Sequence, residues 1–248
     1  MARVIITGGA GDIGLGMGKR LVADGFDVTL VDIKDHKIGQ AKADSMGADQ
    51  GRVLYRQADI CILEQIESVL EEFSADTNVV IANAAVVKSS PFLEITQQQW
   101  FDHVSINLTG TFFTLQSAAK IYSKNARHGQ IIITSSWVGS IPWPEIAAYS
   151  ATKAGVEMLA KSASRELAHL GIRVNVIAPG IVNAGLAKLQ LETEPQYAKR
   201  VGKVIPLGKL QTVEQVAGIA SFLCSEGGDY FTGSTLLADG GCSLFQFD

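Results

Sequence analysis

Short apolar runs alternate with amphipathic stretches along the whole chain. Val4-Ile5-Ile6, Val28-Thr29-Leu30-Val31, Val53-Leu54-Tyr55, Val79-Val80-Ile81, Ile131-Ile132-Ile133, Val174-Asn175-Val176-Ile177 and Thr235-Leu236-Leu237 are rich in β-branched residues and predict seven strands. Between them, Ile13, Met17 and Leu21 recur at helical spacing as far as Gly25, a polar helix covers His36 to Met46, and Ile62, Ile66, Val69, Leu70 and Phe73 mark another. Thr96 with Gln99 forms a capping box that opens a long helix reaching about Ser123, and Thr212 with Gln215 opens one reaching about Leu223. A further helix is predicted from about Ala147 to His169. Strands apolar on both faces belong to parallel sheets, and each parallel crossover requires a returning helix. The fold class expected is therefore α/β: a doubly wound, seven-stranded parallel sheet. No internal repeat or Pro/Ser-rich linker divides it, so residues 1–248 form a single domain. The exception to the alternation is 182–207, rich in Lys, Glu and Gln, which is expected to act as a lid over a site.

Composition narrows the partner. With 47% hydrophobic and 19% charged residues, 248 residues can bury a full core unaided by disulfides or metal. A net charge of −4 argues against a nucleic-acid backbone or an anionic membrane as the main partner, which leaves a small molecule. Cys61, Cys224 and Cys242 are widely separated, and the four histidines form no pair at ligand spacing, so no metal is expected. Met1-Ala2-Arg3 runs straight into a strand and no stretch of 18 apolar residues occurs, so a cytoplasmic location is expected.

The first strand runs into Thr7-Gly8-Gly9-Ala10-Gly11-Asp12-Ile13-Gly14 and then into a helix. Glycines in that context let a pyrophosphate approach the backbone and rest on helix N-terminal amides, which implicates Gly8, Gly11 and Gly14 in binding a dinucleotide, with Asp12 and Ile13 between them in the same turn. Asp32, at the end of the second strand, is placed to accept hydrogen bonds from an adenosine ribose and would repel a 2′-phosphate, so NAD is expected over NADP, although Lys34 lies close by. Asp59 either reaches the adenine edge or caps the helix that follows it.

Tyr149 and Lys153 stand one helical turn apart, so a phenol and an ammonium share one face. A Lys⁺ about 5 Å away at an effective dielectric near 20 favours a phenolate by roughly 3 kcal/mol, with desolvation opposing it. Tyr149 could then exchange a proton with an alcohol or ketone oxygen that Ser136 holds by a hydrogen bond. Trp137, Trp143, Glu145 and Asn183 are candidate substrate contacts: an aromatic wall and two polar groups suited to a ring or a sugar face.

With the glycine turn, Asn83-Ala84-Ala85, Asn107, Ser136, Tyr149, Lys153 and Pro179-Gly180 in order, the chain resembles the compact branch of the short-chain dehydrogenases/reductases, Rossmann-type enzymes of about this length. The resemblance implies that Tyr149 is the general acid/base, that Lys153 lowers its pKa and holds the nicotinamide ribose, that Ser136 orients the substrate oxygen and that Asn107 holds a relay water. It also implies that Asn83 bonds between strands, that Ala84 and Ala85 lie against the cofactor, that Pro179, Gly180 and Val182 border the nicotinamide, and that the chain forms a homo-oligomer, a dimer or a homotetramer. The implied reaction is NAD-dependent hydride transfer between a secondary alcohol (a sugar, polyol or cyclic alcohol) and its ketone. Three departures stand out: Asp12 and Ala85 replace usual glycines, and Ala184 replaces a common threonine. The resulting T-G-x-x-G-x-x-G spacing raises the alternative of an epimerase or lyase that retains NAD without net redox. A non-catalytic NAD-sensing scaffold is the third reading.

Overall fold

A computed structural model describes residues 2–47 and 52–244. Seven parallel strands, β1 (Arg3–Thr7), β2 (Asp27–Asp32), β3 (Val53–Gln57), β4 (Thr77–Ala82), β5 (Gly129–Thr134), β6 (Ile172–Pro179) and β7 (Thr235–Ala238), lie in the order β3-β2-β1-β4-β5-β6-β7. The uninterrupted apolar runs are explained by the two layers they serve. Val4, Ile6, Ile81 and Ile132 face one core with Met17, Leu21 and Ala217, whereas Ile5, Val80, Ile131 and Ile133 face the other with Ile66, Leu115 and Val156. One layer holds α1 (Asp12–Ala23), α2 (His36–Asp44) and α9 (Val213–Leu223); the other holds α3 (Leu63–Glu72), α5 (Thr111–Lys124) and α6 (Ala147–Leu167). Successive side chains of a strand point to opposite faces, so the positions of a central strand are mostly apolar, with buried Thr29, Gln130 and Asn175 among the exceptions.

Both capping boxes form, on α9 and on α4 (Gln97–His103). The single helix expected from Thr96 to Ser123 is instead three pieces, because Val104–Gly110 is π-helical between α4 and α5. Asn107 explains the break. Its Oδ1 accepts from the Val86 amide at 2.8 Å, and its Nδ2 donates to the Val86 carbonyl at 2.8 Å and to Thr152 Oγ1 at 3.2 Å. The helix is drawn toward the end of β4 at that point. The 182–207 segment is more regular than its pattern suggests, folding as α7 (Gly185–Thr193) and α8 (Pro195–Val204). Val201 and Val204 seal it on a third apolar cluster with Trp137, Val138, Trp143, Ile181 and Cys242.

Candidate active site

The strand order reverses between β1 and β4, and a crevice opens there beyond the strand ends, as expected at a topological switch point. A cleft of about 760 Å³ runs from Asp32 and Asp59, past Gly11 and Ala84, to Ser136, Tyr149 and, on the α7–α8 segment, Gln190 and Tyr197.

The glycine turn forms its floor. Gly8 has φ +62°, and a Cβ on it would stand 2.7 Å from Ala84 Cα; one on Gly14 would stand 2.4 Å from the Gly8 carbonyl oxygen. Packing therefore demands both. Gly11 differs: a Cβ there would meet only the Gly8 oxygen, at 3.3 Å. Its missing side chain serves the cleft. Gly11 is also the N-cap of α1 and offers no side-chain cap, so the first-turn amides are left for an outside acceptor. Asp32 braces this turn, its Oδ2 accepting from the Ala10 amide at 3.1 Å and its Oδ1 from Lys34 N at 3.3 Å. Lys34 Nζ donates to the Ala10 carbonyl at 2.8 Å. Asn83 is structural, its Nδ2 donating to the Thr7 and Gly8 carbonyls at 3.1 and 3.3 Å. Asp59 lines the cleft while its Oδ1 accepts from Cys61 N at 2.8 Å, so it serves the turn into α3 and faces the site at once. These residues fit an elongated, phosphate-bearing dinucleotide.

At the other end, α6 carries Tyr149, Lys153 and Glu157 on one stripe. Lys153 is 3% exposed and its Nζ donates to the Thr134 carbonyl at 2.7 Å, 5.4 Å from the centre of the Tyr149 ring. Burial pushes the lysine down to about 8, with Glu157 pulling it back up. Burial also pushes the Tyr149 phenol up to about 12, against a hydrogen bond from Ser136 that favours the phenolate. The depression of the tyrosine expected from its lysine neighbour is thus not seen: burial is the larger influence, and it favours the neutral phenol. Ser136 starts the short 3₁₀ turn Trp137–Gly139, its Oγ accepting from Val138 N at 3.5 Å.

Not every expected residue reaches the cleft. Asn107 is fully buried, its side chain committed to Val86 and Thr152, and it does not line the cavity. Asn183 is exposed and outside it, because a bridge between Val182 and Gln211 fixes the local backbone, with Asn183 N donating to the Gln211 carbonyl at 2.9 Å. Asp12 borders the cleft, but its Oδ2 accepts from Gly185 N at 3.0 Å instead of meeting the α1 amides. Ala85, Pro179, Gly180, Val182 and Ile13 all line the cavity as expected. Trp137 and Trp143 meet edge to face at 5.3 Å, and Glu145 adopts φ +69° so that its carbonyl can accept from Ser90 N at 2.7 Å.

Sequence reasoning missed four contributors. The Thr134 carbonyl that holds Lys153 has no side-chain signature. Glu157, 8% exposed with its Oε1 accepting from Ser135 Oγ at 2.8 Å, was legible as the next turn of the Tyr149–Lys153 stripe. Gln190 Nε2 donates to Ser89 Oγ at 3.2 Å, joining α7 to the loop after β4. Among the described residues, no cluster of three or more His, Cys, Asp or Glu could hold a metal, and no helix is long and apolar enough to cross a membrane.

The family model described as enoyl-(acyl carrier protein) reductase matches residues 8–243. L-2,3-butanediol dehydrogenase of Corynebacterium glutamicum is 32% identical over 250 residues, with 96% of each chain covered. The chain is a short-chain dehydrogenase/reductase. Members of this family use a nicotinamide dinucleotide, and this one is an enzyme acting on CH–OH groups. Another short-chain relative, 3beta-hydroxysteroid dehydrogenase 1 of Eggerthella lenta, is 32% identical, covering 98% of this chain and 95% of its own. Among solved structures, a putative 2-deoxy-D-gluconate 3-dehydrogenase from Agrobacterium tumefaciens with bound NADP superposes with a TM-score of 0.89 at 25% identity, over 98% of this chain and 97% of that one.

Proposed function

We propose that this short-chain dehydrogenase/reductase interconverts a secondary alcohol and its ketone using NAD, with Tyr149 as the general acid/base. The observation that carries the reading is that Tyr149, Ser136 and Lys153 share one cleft with the glycine turn and Asp32. Gly11 to Gly14 and Asp32 would hold the dinucleotide, which would supply or accept the hydride. Ser136 Oγ holds the substrate oxygen. Tyr149 gives that oxygen a proton in ketone reduction and takes it back in alcohol oxidation. A phenol kept protonated by burial suits the donor role, and Lys153, fixed on the Thr134 carbonyl, supplies the positive charge that eases the reverse step.

NAD is favoured over NADP by the Asp32 carboxylate and by the tie of Lys34 Nζ to the Ala10 carbonyl, which turns that amine away from recognising a 2′-phosphate. The Trp137–Trp143 wall with Glu145, Gln190 and Tyr197 supports a substrate with both an apolar face and further hydroxyls, such as a sugar, polyol or cyclic alcohol. The diol and sterol named for two relatives fall in that range. The lid role of 182–207 belongs to the same reading, supported by Ala187, Gln190 and Tyr197 in the cleft. So does a homo-oligomer, since Trp100, Phe101, Phe112 and Met158 stay exposed on the neighbouring α4, α5 and α6, where a second copy would cover them.

A panel of sugars, polyols, cyclic alcohols and hydroxy acids with NAD⁺ and NADP⁺, followed by reduced-nicotinamide fluorescence, tests the reading. On an accepted substrate, Tyr149→Phe is expected to lower kcat by about 10²- to 10⁴-fold with NADH binding nearly unchanged. Retained turnover would refute the assignment.

A further inference from the structure

Helix α7 begins without help from its own residues. Its N-cap is Ala184, which has no side-chain oxygen to offer, and Gly185 turns there at φ +51°. Helix N-termini leave several amides without partners, and a side-chain acceptor at the cap ordinarily takes one. Here the acceptor comes from 173 residues away: Asp12 Oδ2 receives the Gly185 N–H at 3.0 Å. Asp12 belongs to the first turn of α1, on the rim of the dinucleotide turn, so one carboxylate joins the start of the lid to the floor of the cleft. At the substrate end the same helix is held by Gln190 Nε2 on Ser89 Oγ.

We propose that Asp12 is a positioning residue: its carboxylate caps α7 from outside, replacing the cap that Ala184 lacks, and thereby sets where Gln190 and Tyr197 stand against the substrate. A negative charge at that end also complements the positive end of the α7 dipole. The departures at positions 12 and 184 then meet in one contact, a carboxylate on the glycine turn serving a helix whose own cap position is alanine. The capping role stands on the geometry alone; the effect on substrate rests on the alcohol/ketone reading above.

Hydrogen exchange of the dinucleotide-free protein tests the cap directly. Losing a cap of ordinary strength corresponds to about a two- to thirtyfold change in a local opening equilibrium. Asp12→Ala should therefore speed exchange of the Gly185–Thr193 amides by about fivefold, while those of Ile131–Ile133 in β5 keep their rates. Adding Ala184→Ser, which restores a local acceptor, should recover at least half of the protection. An unchanged lid in Asp12→Ala, a loss spread equally into β5, or no recovery in the double variant would overturn the proposal. In turnover, Asp12→Ala should raise the alcohol KM about fivefold with kcat within about twofold, and Ala184→Ser should reverse it. A fall in kcat at constant KM would overturn the substrate-positioning half. A wild-type protein that turns over no alcohol would refute the functional reading, leaving the exchange result to decide the cap by itself.

Discussion

Lys153 carries its charge in a place that disfavours it, and that cost can be measured apart from any reaction. The lysine is 3% exposed and its pKa falls from 10.5 to about 8. The unfolded chain, with an ordinary lysine, therefore binds the proton more tightly than the folded one between those values. Stability rises with pH wherever the unfolded state holds more protons, so this group's contribution is smallest below pH 8 and grows as pH climbs toward 10.5. At 1.36 kcal/mol per unit, the gain between about pH 7 and about pH 9.5 is on the order of 2 kcal/mol. Other groups titrate there too. Burial pushes the Cys61 and Cys242 thiols up to about 11, and these lower stability over an overlapping range. Lys153→Met removes the lysine and leaves that background in place. Urea unfolding of both proteins, followed by tryptophan fluorescence at several pH values without dinucleotide, gives the difference. Wild type should gain about 2 kcal/mol on the variant across the interval, with the variant the more stable protein at neutral pH. A difference that stays flat with pH would refute the claim that burial dominates Lys153, and the reading of Tyr149 as a neutral donor would fall with it.

Two further outcomes follow from named contacts. Asn107→Ala removes the partner of the Val86 amide and carbonyl, which are part-buried beside the cleft, and of the buried Thr152 hydroxyl, so a loss of about 2 kcal/mol is expected in urea denaturation; less than about 0.5 kcal/mol would mean that the π-helical segment does not depend on those bonds. Asp32→Ala removes the acceptor for the Ala10 and Lys34 amides and a carboxylate charge from the cleft, and on the proposed NAD reading should shift kcat/KM for NAD relative to NADP by about tenfold or more toward NADP; an unchanged ratio would refute Asp32 as the reader of the ribose.

The sheet was legible because its central strands must be apolar on both faces, and Val79-Val80-Ile81 or Ile131-Ile132-Ile133 admit few other structures. The glycine turn and the Tyr149–Lys153 stripe were legible for a similar reason, since local spacing alone places them. What sequence could not show depends on distant partners. No signal within Gln97–Lys124 marks the π-helical segment, because its cause is Val86, across the fold. Asn183 has the right chemistry for a substrate contact, but Gln211 decides which way its backbone runs. Glu157 follows Lys153 by one turn of the same stripe, but its spacing does not say how deep α6 sits, and charged residues are seldom buried. Local spacing places Asp12 in the glycine turn, and only the arrival of Gly185, 173 residues on, shows what its carboxylate does.

The strand order also sets a timetable for synthesis. β1 emerges first, yet it ends in the middle of the sheet, paired with β2 on one side and with β4, which begins at Thr77, on the other. Once Ala82 has been made, the block β3-β2-β1-β4 has all its strands, but the outer edge of β4 waits for β5, which begins at Gly129. Those roughly fifty residues take about 3 to 10 s at ordinary translation rates of about 5–20 residues per second. During that interval Val79 to Ala82 is a bare apolar edge on a nascent chain, the kind of surface on which strands of neighbouring chains pair.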